Sequence, residues 1–158
     1  MLRRAGRLLA ASLALLVATS ALTAITAENQ PANAISGATF DPGYIISDSV
    51  FYDFGTMTVE DIQRFLNSKV TNCTAKGPPT CLKSYVTDIP DVAADPGKCA
   101  SVVAAPKQSA AQVIFTVANA CGINPRVLLV MLQKEQGLIS STNPTTYMYK
   151  AALGYGCP

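Results

Sequence analysis

The stretch Pro125-Arg-Val-Leu-Leu-Val-Met-Leu-Gln-Lys-Glu135-Gln-Gly137 decides how the rest of this chain is read. Pro125 suits the first position of a helix, where the N–H has no intrahelical partner, and Asn124 before it is a good N-cap. Gly137 suits the left-handed residue that closes such a helix. Leu128, Met131, Leu132 and Glu135 recur at i, i+3, i+4 and i+7, so the spacing predicts a short buried helix with a carboxyl on its apolar stripe. Apolar surroundings and the negative end of the helix dipole both disfavour a carboxylate and raise its pKa. A carboxyl that stays protonated near neutral pH is what glycosidic cleavage uses as a general acid. The pattern equally admits a plainer alternative, in which Glu135 emerges at the helix end and is solvated, pairing with Lys134 or Lys150.

Working outward, Ser109 to Cys121 carries Val113, Ile114, Val117, Ala118 and Cys121 on one helical stripe and stops at Gly122. With the Pro125 helix it makes a helical hairpin with a three-residue joint. Further upstream, Met57 to Val70 reads as a third helix. Thr58 is its N-cap and Asp61 the acid of a capping box, and Val59, Ile62, Phe65 and Leu66 form its core stripe. Thr71 to Lys107 holds five prolines and no clear period, so an irregular stapled loop is expected there, with a helical turn near Leu82–Val86 and solvated acids at Asp88, Asp91 and Asp95. Phe40 to Asp53 reads as a turn at Asp41-Pro42-Gly43 followed by an extended segment with buried aromatic and aliphatic residues. Leu138 to Tyr149 reads as a polar, aromatic-bearing loop beside the glutamate. The expected fold class is mainly α, a helical hairpin with long disulfide-stapled loops.

Arg3, Arg4 and Arg7 precede an uncharged Leu- and Ala-rich run, and Ala32-Asn33-Ala34 is a small-x-small cleavage pattern. Residues 1–34 are therefore expected to be a signal peptide, 35–39 a flexible mature N-terminus and 40–158 the domain. An uncleaved signal segment is the one membrane contact expected. The net charge of +2 comes largely from the leader, so the remainder has no basic footprint for nucleic acid. The chain has no His, which excludes His-based triads and imidazole zinc sites. No cofactor and no metal are expected. In an exported protein Cys73, Cys81, Cys99 and Cys121 are expected to form disulfides, and four cysteines allow three pairings. Cys73 with Cys81 closes a small Gly-Pro-Pro loop, which makes Cys99 with Cys121 the natural second pair. Cys157 is left over, and its partner is expected beyond Pro158 in a longer version of this chain.

The run Ile123-Asn-Pro-Arg-Val-Leu-Leu-Val-Met-Leu-Gln-Lys-Glu-Gln-Gly-Leu138 resembles the catalytic helix of the lysozyme-like superfamily, soluble lytic transglycosylases and goose-type lysozymes in particular. Phe40-Asp-Pro-Gly-Tyr-Ile-Ile-Ser-Asp48, Thr80-Cys-Leu-Lys83 and Gln133-Lys-Glu-Gln-Gly-Leu138 also resemble a group of secreted actinobacterial proteins described as haemagglutinin-like or uncharacterised. The lysozyme-like resemblance implies a lysozyme-like domain in which Glu135 is the single general acid and base. The implied partner is peptidoglycan or another cell-wall glycan, and the implied place is outside the cell or at the wall. Gln136 stands where the transglycosylase pattern has Ser, and can orient the acid or the sugar. Tyr147, Tyr149 and Tyr155 are further candidate substrate contacts. The same residues admit an alternative, a non-catalytic envelope-associated module that binds carbohydrate or another surface.

Overall fold

A computed structural model describes residues 41–154. The leader at 1–34, the segment 35–39, Phe40, Tyr155 and Cys157 lie outside the described residues. Helix α1 spans Asp48–Phe51, α2 Val59–Lys69, α3 Ala110–Cys121, α4 Pro125–Gln136 and α5 Thr146–Lys150. Strands β1 (Val86–Ile89) and β2 (Ala105–Ser109) pair antiparallel.

Each long helix begins where its sequence supplies a cap. The Thr58 hydroxyl accepts from Asp61 N, while the Asp61 carboxylate accepts from the Thr58 N–H and hydroxyl. Those bonds, with Arg64 beside it, hold the Asp61 carboxyl below its usual range. Ser109 and Gln112 make the same reciprocal box for α3, and Asn124 caps α4 ahead of Pro125. Gly122 and Gly137 end α3 and α4 in the left-handed conformation that glycine adopts without a Cβ penalty. The chain turns by 120° between these two helices.

The core is assembled from one face of each. Ile62 and Leu66 of α2 meet Ala110, Ala111, Ile114 and Ala118 of α3. Leu128, Leu129 and Leu132 of α4 complete it, with Leu82, Leu138 and Ile139 from the connections. The alanines of α3 let α2 approach closely. They also rotate the buried face of α3 away from the stripe expected from its sequence, leaving Val117 exposed.

Three expectations are corrected and one is extended. The long segment after α2 is not simply irregular: β1 and β2 form a hairpin, continued by the bridges Val92–Val102 and Asp95–Cys99. Its prolines and a register shift between Thr87 and Ile89 hid the alternation that marks a strand. Asp88, Asp91 and Asp95 are exposed, as expected of solvated loop acids, and each also makes a bond within the hairpin. The first two accept from the backbone N–H groups of Lys107 and Ala104 across the hairpin, at 2.8 and 2.7 Å, and Asp95 pairs with Lys98. The segment from Tyr44 to Phe54 is neither extended nor buried. It contains α1, and Tyr44, Ile45, Val50, Tyr52 and Phe54 are exposed. The loop after Gly137 contains α5, capped by Thr145, whose hydroxyl accepts from Met148 N.

Cys73 pairs with Cys81 and Cys99 with Cys121, with Cα atoms 5.9 and 4.0 Å apart. The second bridge ties the hairpin tip to the last turn of α3. The first closes a loop that rests on Thr142, whose carbonyl accepts from the backbone N–H groups of Thr74 and Ala75.

Asn124 holds the N-terminal segment to this framework. It is 3% exposed. Its Nδ2 donates to Val50 O at 2.9 Å, and its Oδ1 accepts from Thr56 Oγ1 at 2.8 Å and Arg126 N at 3.0 Å. Replacing Asn124 with Ala removes a cap and leaves buried partners unsatisfied, a loss of about 2–3 kcal/mol. Asn119→Ala removes one exposed bond to Phe115 O and should change stability by less than about 0.5 kcal/mol. Urea unfolding of both variants checks this, and a loss under about 1 kcal/mol for Asn124→Ala removes it from this role.

Candidate functional site

Glu135 lies in the last turn of α4 with its side chain exposed. The plainer of its two sequence readings is the one observed, and the expected apolar surroundings are absent. The buried column of α4 runs through Pro125, Leu128, Leu129 and Leu132. At about 100° per residue its continuation is Gln136, while Met131 and Glu135 fall on the flank. Gln136 is partly buried, as that placement requires, whereas Met131 is 39% exposed. The core space beyond Leu132 is filled from elsewhere. Gly137 N and Leu138 N donate to Gln133 O and Leu132 O, which folds Leu138 and Ile139 back beneath the helix end. Neither Lys134 nor Lys150 pairs with Glu135: the ion pairs among the described residues are Arg64–Asp61 and Lys98–Asp95.

The tyrosines divide. Tyr147 and Tyr149 are two apart on α5 and so face differently. Tyr147 is 72% exposed. Tyr149 is partly buried and stacks on Tyr85 with ring centroids 4.2 Å apart and planes 18° apart. Its Oη donates to Thr80 O at 2.8 Å, which ties α5 to the small disulfide loop. Burial, and secondarily the neighbouring Tyr85, raises the Tyr149 phenol well above its ordinary pKa.

Beside this stack is an open hollow of about 530 Å³, lined by Pro78, Pro79, Tyr85, Val86, Thr146, Tyr149 and Lys150. The Pro78–Pro79 peptide is cis. Two proline rings and two aromatic rings make stiff walls, with the Thr146 hydroxyl and the Lys150 ammonium as polar groups. Sequence reasoning named the tyrosines and missed the prolines and Tyr85, which reach this corner only through the hairpin and the Cys73–Cys81 loop.

A second hollow, about 460 Å³, lies between α2 and α4. Met57, Phe65, Leu129, Val130 and Ile139 give it apolar walls, and Lys69 and Arg126 are its charged groups. Gln133 and Ser140 at its edge satisfy one another, the Gln133 amide donating to Ser140 Oγ at 2.9 Å. A third, of about 240 Å³, is almost wholly apolar and reaches the core past Val113, Val117 and Leu153. A shallow hollow of about 490 Å³ lies by Val103 and Phe115. No carboxylate lines any of these four. Among the described residues no three His, Cys, Asp or Glu side chains group to hold a metal ion.

The Tyr149 phenol has a signed pH consequence. Its folded-state pKa lies above the unfolded value of about 10, so its contribution is complete below pH ~10 and is lost as pH rises beyond it. Tyr149→Phe should cost about 1 kcal/mol at pH 7, through the lost bond to Thr80. The stability gap between wild type and Tyr149→Phe should then narrow above pH ~10. Denaturant melts of both proteins at pH 7, 9 and 10.5 test this, and a gap that widens with pH contradicts it.

No curated protein and no solved structure, lysozyme-like or otherwise, matches the chain. A family model described as "LasA, N-terminal domain" matches residues 44–156, which includes the capped helices, both disulfides and the four hollows. The chain belongs to the LasA N-terminal domain family.

Proposed function

We propose that this protein is a secreted, cell-wall-associated binding module. Its glycan contact is the aromatic and proline corner at α5, lined by Tyr149 and Lys150 and extended by the exposed Tyr147 on the same helix. The observation that carries this reading is the exposure of Glu135 together with the absence of any carboxylate from the four hollows. A glycosidase needs an acid held against the scissile bond, and most need a second carboxylate. A binding module needs neither. Family membership supports a cell-wall-related role, and two disulfides suit an extracellular setting.

The corner has the chemistry of a sugar contact. Its volume is within the roughly 300–1,000 Å³ of small-molecule sites. The apolar C–H faces of a sugar ring pack on aromatic and proline rings, while hydroxyl and ammonium groups satisfy its polar edge. Tyr149 has its hydroxyl committed to Thr80, so it offers ring area. Tyr147 does not line the hollow, so it meets a polymer segment that extends beyond the corner. Lys150 suits an acidic group on the wall polymer.

Cleavage through Glu135 is the rival reading. One observation favours it: the carboxylate stands at the end of α4, the helix against which the Ala152–Gly154 turn packs. In that scheme protonated Glu135 donates to the glycosidic oxygen, and its carboxylate then activates the attacking hydroxyl. In a lysozyme-like arrangement the hydroxyl is the sugar's own, giving an anhydro product, and Gln136 orients the acid. The open setting of Glu135 gives this scheme less support than binding has.

One experiment separates the two. Wild type, Glu135→Gln and Tyr147→Ala are mixed with purified insoluble peptidoglycan, and both co-sedimentation and release of soluble glycan are measured. The expected outcome is retention of wild type and Glu135→Gln alike with no glycan release. Tyr147→Ala should bind about 5–30-fold more weakly, the loss of roughly 1–2 kcal/mol typical of an aromatic anchor. Release by wild type that disappears in Glu135→Gln establishes cleavage instead. Absence of retention in every protein removes the binding reading.

Since Glu135 is exposed and has no ion-pair partner among the described residues, Glu135→Gln should also change unfolding free energy by no more than about 0.5 kcal/mol. A gain or loss beyond about 1 kcal/mol in a urea titration at pH 7 contradicts the solvated placement.

A further inference from the structure

The segment between Asp41 and Phe54 is an anomaly for an isolated protein. Tyr44, Ile45, Ile46, Val50, Tyr52 and Phe54 all present large apolar surface to solvent within one short stretch. Scattered exposed residues of this kind need no explanation, but a concentration of them marks an interaction surface. The stretch is also acidic, with Asp48 and Asp53 exposed and no cation paired to either among the described residues.

Next to it lies a surface of the opposite character. The hollow between α2 and α4 is apolar with Lys69 and Arg126 as its charged groups. The Lys69 ammonium has no carboxylate partner among the described residues and sits 4.9 Å from the centre of the Phe65 ring. The Arg126 guanidinium makes no ion pair or side-chain hydrogen bond among the described residues. The two surfaces are continuous at the start of α4. Asn124 N and Nδ2 bond Phe51 O and Val50 O, and Arg126 is two residues further on. Met57, which lines the hollow, is separated from Phe54 only by Gly55 and Thr56.

We propose that this combined face binds a second copy of the same chain about a two-fold axis. The acidic aromatic stretch of each copy packs into the basic apolar hollow of the other. An isologous interface requires two complementary patches side by side on one surface, so that each meets its opposite when one copy is rotated onto another. That is the arrangement at the start of α4. Charge complementarity fixes the register, Asp48 and Asp53 facing Lys69 and Arg126, and the apolar side chains supply the buried area. An anionic membrane surface is disfavoured as occupant by the aspartates on the most apolar part of the face.

The test uses two charge-reversed full-length chains. One carries Asp48→Lys with Asp53→Lys, and the other Lys69→Glu with Arg126→Glu. Sedimentation velocity of wild type over a concentration series should give an equilibrium between one and two chains. Each reversed protein alone should need at least roughly tenfold higher concentration to pair, since both of its contacts become repulsive. An equimolar mixture of the two should regain the two-chain species, because both contacts are then attractive. The mixture also shows that both variants are folded. Four results overturn the proposal: wild type that stays a single chain at about 0.5 mM, species growing beyond two chains, reversed proteins that pair as well as wild type, or a mixture that stays single.

Discussion

A single buried amide joins the parts of this molecule that the sequence keeps far apart. Asn124 is the one buried polar side chain among the described residues, and each of its bonds serves a different element. Its oxygen accepts from Arg126 N, which starts α4, and from Thr56 Oγ1, which fixes the turn before α2. Its amide nitrogen and its backbone N–H donate to Val50 O and Phe51 O, the carbonyls at the end of α1. Asparagine carries an acceptor with two lone pairs and a two-hydrogen donor on separate atoms, so it can reach partners on opposite sides. Aspartate lacks the donor, and leucine of similar volume lacks both. The segment carrying the exposed aromatics is thus held by backbone carbonyls and not by its own apolar side chains, which remain available on the surface.

The rest of the frame reflects how little core this chain has. Three helices bury one face each, and the alanines of α3 add little apolar area. A domain of this size gains from constraining its unfolded chain, and the two disulfides do so in the region with least regular structure. The aspartates of the hairpin act in the same region by a different means, accepting backbone N–H groups that a regular ladder would have paired.

The helices were legible because their ends carry chemistry that only a helix end uses. Thr58 with Asp61, Asn124 with Pro125, and the two glycines at 122 and 137 are local signals, and each is found in its expected role. The hairpin was not legible, because strand alternation was broken by Pro90 and Pro106 and the pairing was rescued by side-chain acceptors remote in sequence. Glu135 was legible as a helical position, and of its two readings the pattern could not exclude the buried one. An i, i+7 relation places a residue near a stripe, but Leu138 and Ile139, beyond the helix, took the core space it would have needed. Tyr44 to Phe54 was misread for a similar reason. An apolar run implies that something covers it, and the sequence does not say whether the cover belongs to the same molecule.

The two surfaces singled out have consequences for each other. The corner at Tyr149 and the hollow at Arg126 share no lining residue, so occupation of one leaves the other open. On the proposed binding reading, a corner built from a few rings and one ammonium would hold a single sugar segment weakly, because little area is buried against the entropy of holding it. A polymer that repeats the same segment changes this arithmetic. A pair of chains presents two such corners at fixed spacing, and the second contact forms at the effective concentration set by the first. Cell-wall glycan is a repeating polymer of that kind. Self-association at the start of α4 would then give an otherwise weak corner useful retention at the wall, without a larger pocket and without a catalytic acid.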